Sequence, residues 1–168
     1  MIEVPTSAWK GLELIVKDIM QQSETSNKRC LEFGVEYGYS VAVFANYFEE
    51  VTGVDIFTGD IHAGFHGDIL EKTKNNLRDF PNIKLIRSDY KDYITRDQSR
   101  YDLIHVDIVH TYEATYDCGL WSALHADCTI FHDTETFPEV KKAVRDIARK
   151  TGKQFYNYPH HCGLGIVY

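Results

Sequence analysis

Four acids close four apolar runs in succession along the chain. Asp55 ends EVTGVD, Asp89 ends IKLIRSD, Asp107 ends YDLIHVD, and Asp133 follows CTIFH. One such acid is what any turn favours; four in a row form a pattern. Carboxylates at strand ends can accept hydrogen bonds from hydroxyl or amino groups. Histidines gather near the same points: His62 and His66 in one loop, His110 three residues past Asp107, and His132 just before Asp133. An imidazole that titrates near neutrality suits general acid–base chemistry. Asp107, His110, His132, Asp133 and His62 are therefore the candidate catalytic residues, with His110 and His132 first for proton transfer. Asp107 and Asp133 are also candidate ligands for a divalent metal such as magnesium, although two carboxylates alone are a thin set.

The stretch LEFGVEYGYS (31–40) raises a second question. Glu32 precedes Gly34 and Gly38, where a dinucleotide site would carry G-x-G-x-x-G. An acid in the turn repels a pyrophosphate, so a cationic, phosphate-free ligand suits it better. S-adenosylmethionine is such a ligand. Asp55, 21 residues after Gly34, is placed to accept from ribose hydroxyls, and Asp89 or its neighbours to receive the adenine amino group. The plainer alternative is a strand–helix turn in which glycine eases packing.

The elements that must hold these groups alternate. Strands are predicted at 29–35, 50–56, 83–89, 101–107 and 128–132, and helices at 40–48, 69–80, 90–98, 112–125 and from Pro138 to about 150. A polar loop fills 57–68, and two further strands close the chain at 154–158 and 163–168. Thr111 reads as an N-cap and Pro138 as a first-turn residue. Trp9, Leu12, Ile15, Val16 and Ile19 make 7–21 an amphipathic helix, part of an N-terminal segment (1–25) packed on the domain. Such alternation implies an α/β domain: a Rossmann-like, doubly wound sheet of about seven strands, mostly parallel with a C-terminal antiparallel strand. Ligands then bind at the carboxyl ends of the strands. The Asp107–His110 and His132–Asp133 pairs should face each other across that mouth, with His62 reaching over as part of a lid. His105, inside an apolar strand, reads as a core histidine.

Composition narrows the partners. The chain has 168 residues, 43% apolar and 26% charged, which suits one domain (1–168). A net charge of −7 argues against a nucleic-acid partner. No apolar run suggests a leader or a membrane segment. The four cysteines lack metal or disulfide spacing and read as reduced thiols of a cytoplasmic protein. The basic residues of 141–150 read as a solvated helix face.

Four stretches together resemble class I S-adenosylmethionine-dependent methyltransferases, and more narrowly the small group associated with glycosyltransferases. They are LEFGVEYGYS (31–40), VDIFTGDIHAGFHGD (54–68), DLIHVDIVHTYEATYDCGLW (102–121) and FHDT (131–134). The resemblance implies that Glu32, Gly34 and Gly38, with Val35, Tyr37 and Ser40, line the methionine part of the cofactor. It places Asp55 and Ile56 at the ribose, Ser88, Asp89 and Tyr90 by the adenine, and Asp107 near the transferred methyl group. Two departures from the group stand out: Ile108 where many members have glycine, and His125-Ala126-Asp127 where a glycine pair is usual. The expected activity is methylation, at oxygen, of a small-molecule or saccharide acceptor. The rival readings are a cofactor-binding or interaction module without turnover, and a nicotinamide-dependent oxidoreductase, which the missing fingerprint disfavours. A homo-oligomer stays open.

Overall fold

The computed structural model describes residues 11–65 and 67–168. Residues 7–10 of the expected N-terminal helix, Trp9 among them, and His66 lie outside the described residues. In chain order the elements are α1 (Leu12–Gln22), β1 (Arg29–Phe33), α2 (Tyr39–Ala45), β2 (Glu50–Asp55), β3 (Gly59–Asp60), β4 (Gly64–Phe65) and α3 (Leu70–Asn76). They continue with β5 (Ile83–Arg87), α4 (Tyr90–Arg96), β6 (Tyr101–Val106), α5 (Tyr112–His125), β7 (Ala126–His132), α6 (Pro138–Thr151), β8 (Phe155–Tyr158) and β9 (Leu164–Val167).

Seven strands form one sheet in the order β5-β2-β1-β6-β7-β9-β8. The pairings from β5 to β7 are parallel, and β9 runs antiparallel between β7 and β8. Burial on both faces explains why the central strands read as apolar runs rather than alternating ones. One apolar layer gathers α1, α2 and α3 with Val41, Phe44 and Leu77; the other gathers α4, α5 and α6 with Phe33, Phe131 and Ile147.

The expected alternation is present throughout, with two local differences. The 57–68 loop contains a short antiparallel hairpin, β3–β4. Its turn is held by Asp60, whose Oδ1 accepts from the backbone N–H groups of His62 and Ala63 (2.7 and 2.8 Å). That local side-chain bond gives the backbone a turn that hydrophobic periodicity does not register. At the other difference, α5 passes straight into β7 at Ala126, which is extended (φ −129°). A glycine pair has no turn to serve there.

The chain reverses its direction of winding between β1 and β6, which places a switch point at their carboxyl ends. Gly34 N–H donates to Val54 O (3.0 Å) and Asp107 N–H to Phe33 O (2.9 Å). The first ties the end of β1 to β2, and the second ties it to β6. A Cβ on Gly34 would lie 1.6 Å from the Asp107 carbonyl oxygen, so only glycine fits.

Candidate active site

Four side chains converge beyond the ends of β6 and β7. His110 Nε2 lies 2.9 Å from Asp133 Oδ2 and 3.3 Å from Asp107 Oδ1. His132 Nδ1 lies 3.2 Å from Asp107 Oδ2 and 3.5 Å from Asp133 Oδ2. The two pairs expected to face each other thus form one cluster, and each side chain is at most a quarter exposed. His132 ends β7 and is buried. His110 precedes α5, whose N-cap Thr111 accepts from Ala114 N–H (3.2 Å).

Asp133 sits in the left-handed backbone region (φ 62°), a conformation that costs free energy unless its surroundings impose it. Its carbonyl accepts from Phe137 N–H (2.9 Å), and the Cys162 carbonyl accepts from Glu135 and Thr136 N–H (2.9 and 3.2 Å). The turn between β8 and β9 therefore braces the loop that carries Asp133. Phe137, which this loop delivers, stacks flat on His110, with centroids 4.5 Å apart and planes at 5°.

His62, expected to reach over the mouth, lies at the tip of the β3–β4 hairpin. Its Nδ1 accepts from His110 N–H (3.0 Å), and its ring lies 5.1 Å from Phe137 and 5.3 Å from His110. That bond occupies the Nδ1 lone pair, which makes His62 a docking residue more than a base in this arrangement.

Charges in the cluster reinforce one another. Burial opposes ionisation of Asp107, but His132 and the bonds from His110 and His132 prevail and hold its carboxyl well below the usual range. Burial likewise opposes a charge on His110, but its bonds to Asp107 and Asp133 push it up to about 9. His132 is also raised, with burial again opposing and Asp107 the main cause. The near-neutral base expected from sequence is thus displaced upward.

A cleft of about 410 Å³ opens beside this cluster, along the carboxyl ends of β1, β2, β5 and β6. Gly34, Asp55, Ile56, Ser88, Asp89 and Tyr90 line it, and Asp107 and His110 stand at one end. Ile61 and Phe65 of the hairpin are largely exposed on its wall. No Lys or Arg is among the described residues that line it. Asp89 caps α4 by accepting from Lys91 N–H (2.7 Å). Asp55 is more heavily engaged: Oδ2 accepts from Val35 and Glu36 N–H (2.7 and 2.8 Å), and Oδ1 from Phe57 N–H (2.6 Å). It ties the glycine turn to the end of β2 and keeps only part of its acceptor capacity for a ligand.

The remaining candidates from the glycine turn stand behind the cleft. Glu32 is fully buried and pairs with His105 Nδ1 (2.7 Å) and with the Ser40 hydroxyl. Val35 is in the core, with its amide on Asp55. Tyr37 lies under Lys72 Nζ (4.5 Å to the ring centroid), and a Cβ on Gly38 would meet the Leu77 side chain at 2.8 Å. Both glycines are thus required by the protein's own packing. Phe137, Asp60 and the Cys162 carbonyl were not readable as site parts, because their roles depend on contacts between distant segments.

A family model described as a methyltransferase domain matches residues 31–134. The chain belongs to this methyltransferase family. Its sheet order and strand-end cleft accord with the class I, S-adenosylmethionine-dependent group that the sequence resembles. The chain is 26% identical over 154 residues to the uncharacterized protein y4gI of Sinorhizobium fredii (strain NBRC 101917 / NGR234). That match takes in 84% of this chain but only 17% of the relative's length. Among solved structures, the fold is similar to the O-methyltransferase NovP (TM-score 0.73, 16% identity, 97% of this chain and 83% of that one). CalS10, an amino pentose methyltransferase from Micromonospora echinaspora, gives a TM-score of 0.70 at 12% identity, over 96% of this chain and 91% of that one. The O-methyltransferase from Bacillus cereus, solved with SAH, gives 0.63 at 12% identity, over 99% and 83%.

Proposed function

We propose that the protein methylates a hydroxyl oxygen of a small-molecule acceptor, with S-adenosylmethionine as donor and a saccharide as the leading acceptor class. One observation carries this reading: the His110–Asp107–Asp133–His132 cluster stands beside an acid-lined cleft, and no Lys or Arg is among the described residues that line it. Such a cleft suits a cationic, phosphate-free cofactor and repels a dinucleotide. The names of NovP and CalS10 lend support to oxygen and sugar, respectively.

The residues divide the work by position. Asp55 and Ile56 would hold the ribose, and Ser88, Asp89 and Tyr90 the adenine. When bound, S-adenosylmethionine supplies an already activated methyl carbon, so the protein's task is to orient the hydroxyl and take its proton. His110 is placed to take it, because Phe137 fixes its ring. At pH 7 the two carboxylates keep His110 protonated, so it must first release that proton. Asp107 and Asp133 orient the acceptor. The donor types and spacing of Asp107, His110 and Asp133, all within 4.8 Å of one another, also fit a divalent ion that would acidify the hydroxyl.

Calorimetry with S-adenosylhomocysteine tests the cofactor assignment, with NADH as the control. Binding of the homocysteine product without a response to NADH is expected. Failure to bind would overturn it.

A further inference from the structure

The geometry points to a pairing surface for a second copy of this chain: we propose that two protomers join antiparallel through the outer edge of β8, with the two-fold axis at Tyr156. This inference goes beyond methyl transfer and does not rest on it. Three features carry it.

The first is the state of the edge. β8 is the last strand of the sheet, and among the described residues no strand pairs with its outer side. Natural sheets guard such edges with lysine, proline or a bulge. The opposite edge, β5, is guarded, since Lys84 and Arg87 stand exposed along it. β8 reads Phe-Tyr-Asn-Tyr, without a charge, and its Tyr156 is 54% exposed. Beside it Tyr156, Tyr158 and Tyr168 line a groove of about 370 Å³ with Ile15 and Ile19 of α1.

The second is register. Gln154 and Tyr168 exchange both backbone bonds (2.8 and 3.2 Å). Tyr156 and Tyr158 follow at the two-residue period, so their amides also face β9. The N–H and C=O groups of Phe155 and Asn157 therefore point outward. A two-fold axis normal to the sheet at Tyr156 sets Phe155 opposite Asn157 of the second copy. Each such pair exchanges both bonds, and every outward group of the two strands finds a partner. An axis at Asn157 would set Phe155 opposite Pro159, which has no N–H to give. An axis at Phe155 would set Asn157 opposite Lys153, whose N–H already goes to Ala148 O (3.1 Å). The axis at Tyr156 is thus the register that the edge itself selects.

The third is what this register brings together. The two Tyr156 side chains meet at the axis on the groove side, where an aromatic cross-strand pair is favourable. On the other face, Arg145 lies over the Phe155 ring (6.0 Å to the centroid), and Asn157 Nδ2 donates to Glu135 Oε1 (2.7 Å). Setting Phe155 against Asn157 of the second copy carries Arg145 toward that copy's Glu135. The symmetry repeats this meeting of opposite charges on the other side of the axis. A second copy thus suits the edge in hydrogen bonding, packing and charge together.

Sedimentation of the full chain tests the proposal. The parent should sediment with twice the mass of one chain at micromolar concentration. Tyr156→Lys sets two like charges on the axis from an exposed position. It should weaken association at least about tenfold and leave circular dichroism unchanged. Crosslinking gives a second readout. Tyr156 would form a non-hydrogen-bonded pair with its own counterpart, where Cα atoms approach to about 4.5 Å, within disulfide reach. Cys162→Ser removes the exposed native thiol. In that background Tyr156→Cys should join two chains on mild oxidation. Asn157→Cys, which faces Phe155 and not itself, should crosslink at least about tenfold more slowly. The proposal is overturned by a monomeric parent, by a dimer that Tyr156→Lys leaves intact, or by crosslinking no faster at Tyr156→Cys than at Asn157→Cys. A dimer through another face, or an edge reserved for a different protein, would give one of these results.

Discussion

The molecule contains carboxylate–imidazole pairs in two settings. Glu32 and His105 face each other directly across β1 and β6, both with side chains fully buried, and Phe44 packs against the His105 ring at 5.5 Å. Two residues further along β6, Asp107 begins the cluster with His110, His132 and Asp133, which opens toward the cleft. The chemistry of the groups is the same. What differs is whether the strand end gives them access to a ligand. Burial pushes the Glu32 carboxyl up, while its bonds to His105 and Ser40 pull it down. In the cluster the attractions prevail, and the charges are kept where a reaction can use them. The acid–imidazole pair inside the sheet acts as a tie, and the cluster beyond it is the proposed tool.

The largest expected effect tests the tie. Glu32→Ala leaves a buried imidazole without its carboxylate and should cost about 3–5 kcal/mol of unfolding free energy. Replacing the whole pair, as Glu32→Met with His105→Leu, should recover most of that loss, because apolar substitutes for a buried pair are often close to neutral. Urea denaturation of the three proteins reads this directly. A double variant as unstable as Glu32→Ala would show that the pair is more than a tie.

Asp107→Asn tests the tool. Methyl transfer should fall about 10²–10⁴-fold, with a much smaller stability cost than Glu32→Ala. Activity that survives within a few-fold would remove Asp107 from the chemistry.

The pH dependence sharpens the contrast further. His110 must be neutral to accept a proton, so the rate should rise with pH up to about 9. Its stabilising contribution has the opposite sense. A histidine raised above its ordinary value of about 6.5 stabilises fully below that pH and loses the contribution as pH rises through the folded value. Melting temperature should thus fall between about pH 6.5 and 9 while activity climbs, and His110→Gln should remove both slopes. A rate already flat from pH 6.5 would assign the proton to another group.

The smallest effect concerns the ring that aims His110. Phe137→Ala should lower turnover about tenfold, since lost orientation alone is of this order, and should leave S-adenosylhomocysteine affinity unchanged. A loss of affinity instead would place Phe137 in the cofactor's own cleft.

These experiments also mark how far the sequence could be read. The order of strands and helices was legible because apolar runs and their breaks are local. So were the strand-end acids, because parallel sheets place their ligands at that edge. Glu32 shows the limit: its neighbour across the sheet is 73 residues away, and that pairing turned an expected cofactor ligand into a buried tie. The glycine turn shows the same limit. Its small residues make room for the Asp107 backbone and for Leu77, and both contacts exist only once the sheet is assembled. His62 does lie beside His110, yet the bond that occupies its Nδ1 comes from the His110 backbone, which residue type does not disclose.

The order in which the chain emerges during synthesis gives the β8–β9 turn another meaning. By the time α6 has formed, all four cluster residues have already been made. The Cys162 carbonyl that braces the Asp133 loop, and the strand β9 that seals β7, come later. A nascent chain arrested before them would carry every candidate reactive group and still lack their fixed geometry. The geometry of the Asp133 loop is thus fixed by a segment that is made after it.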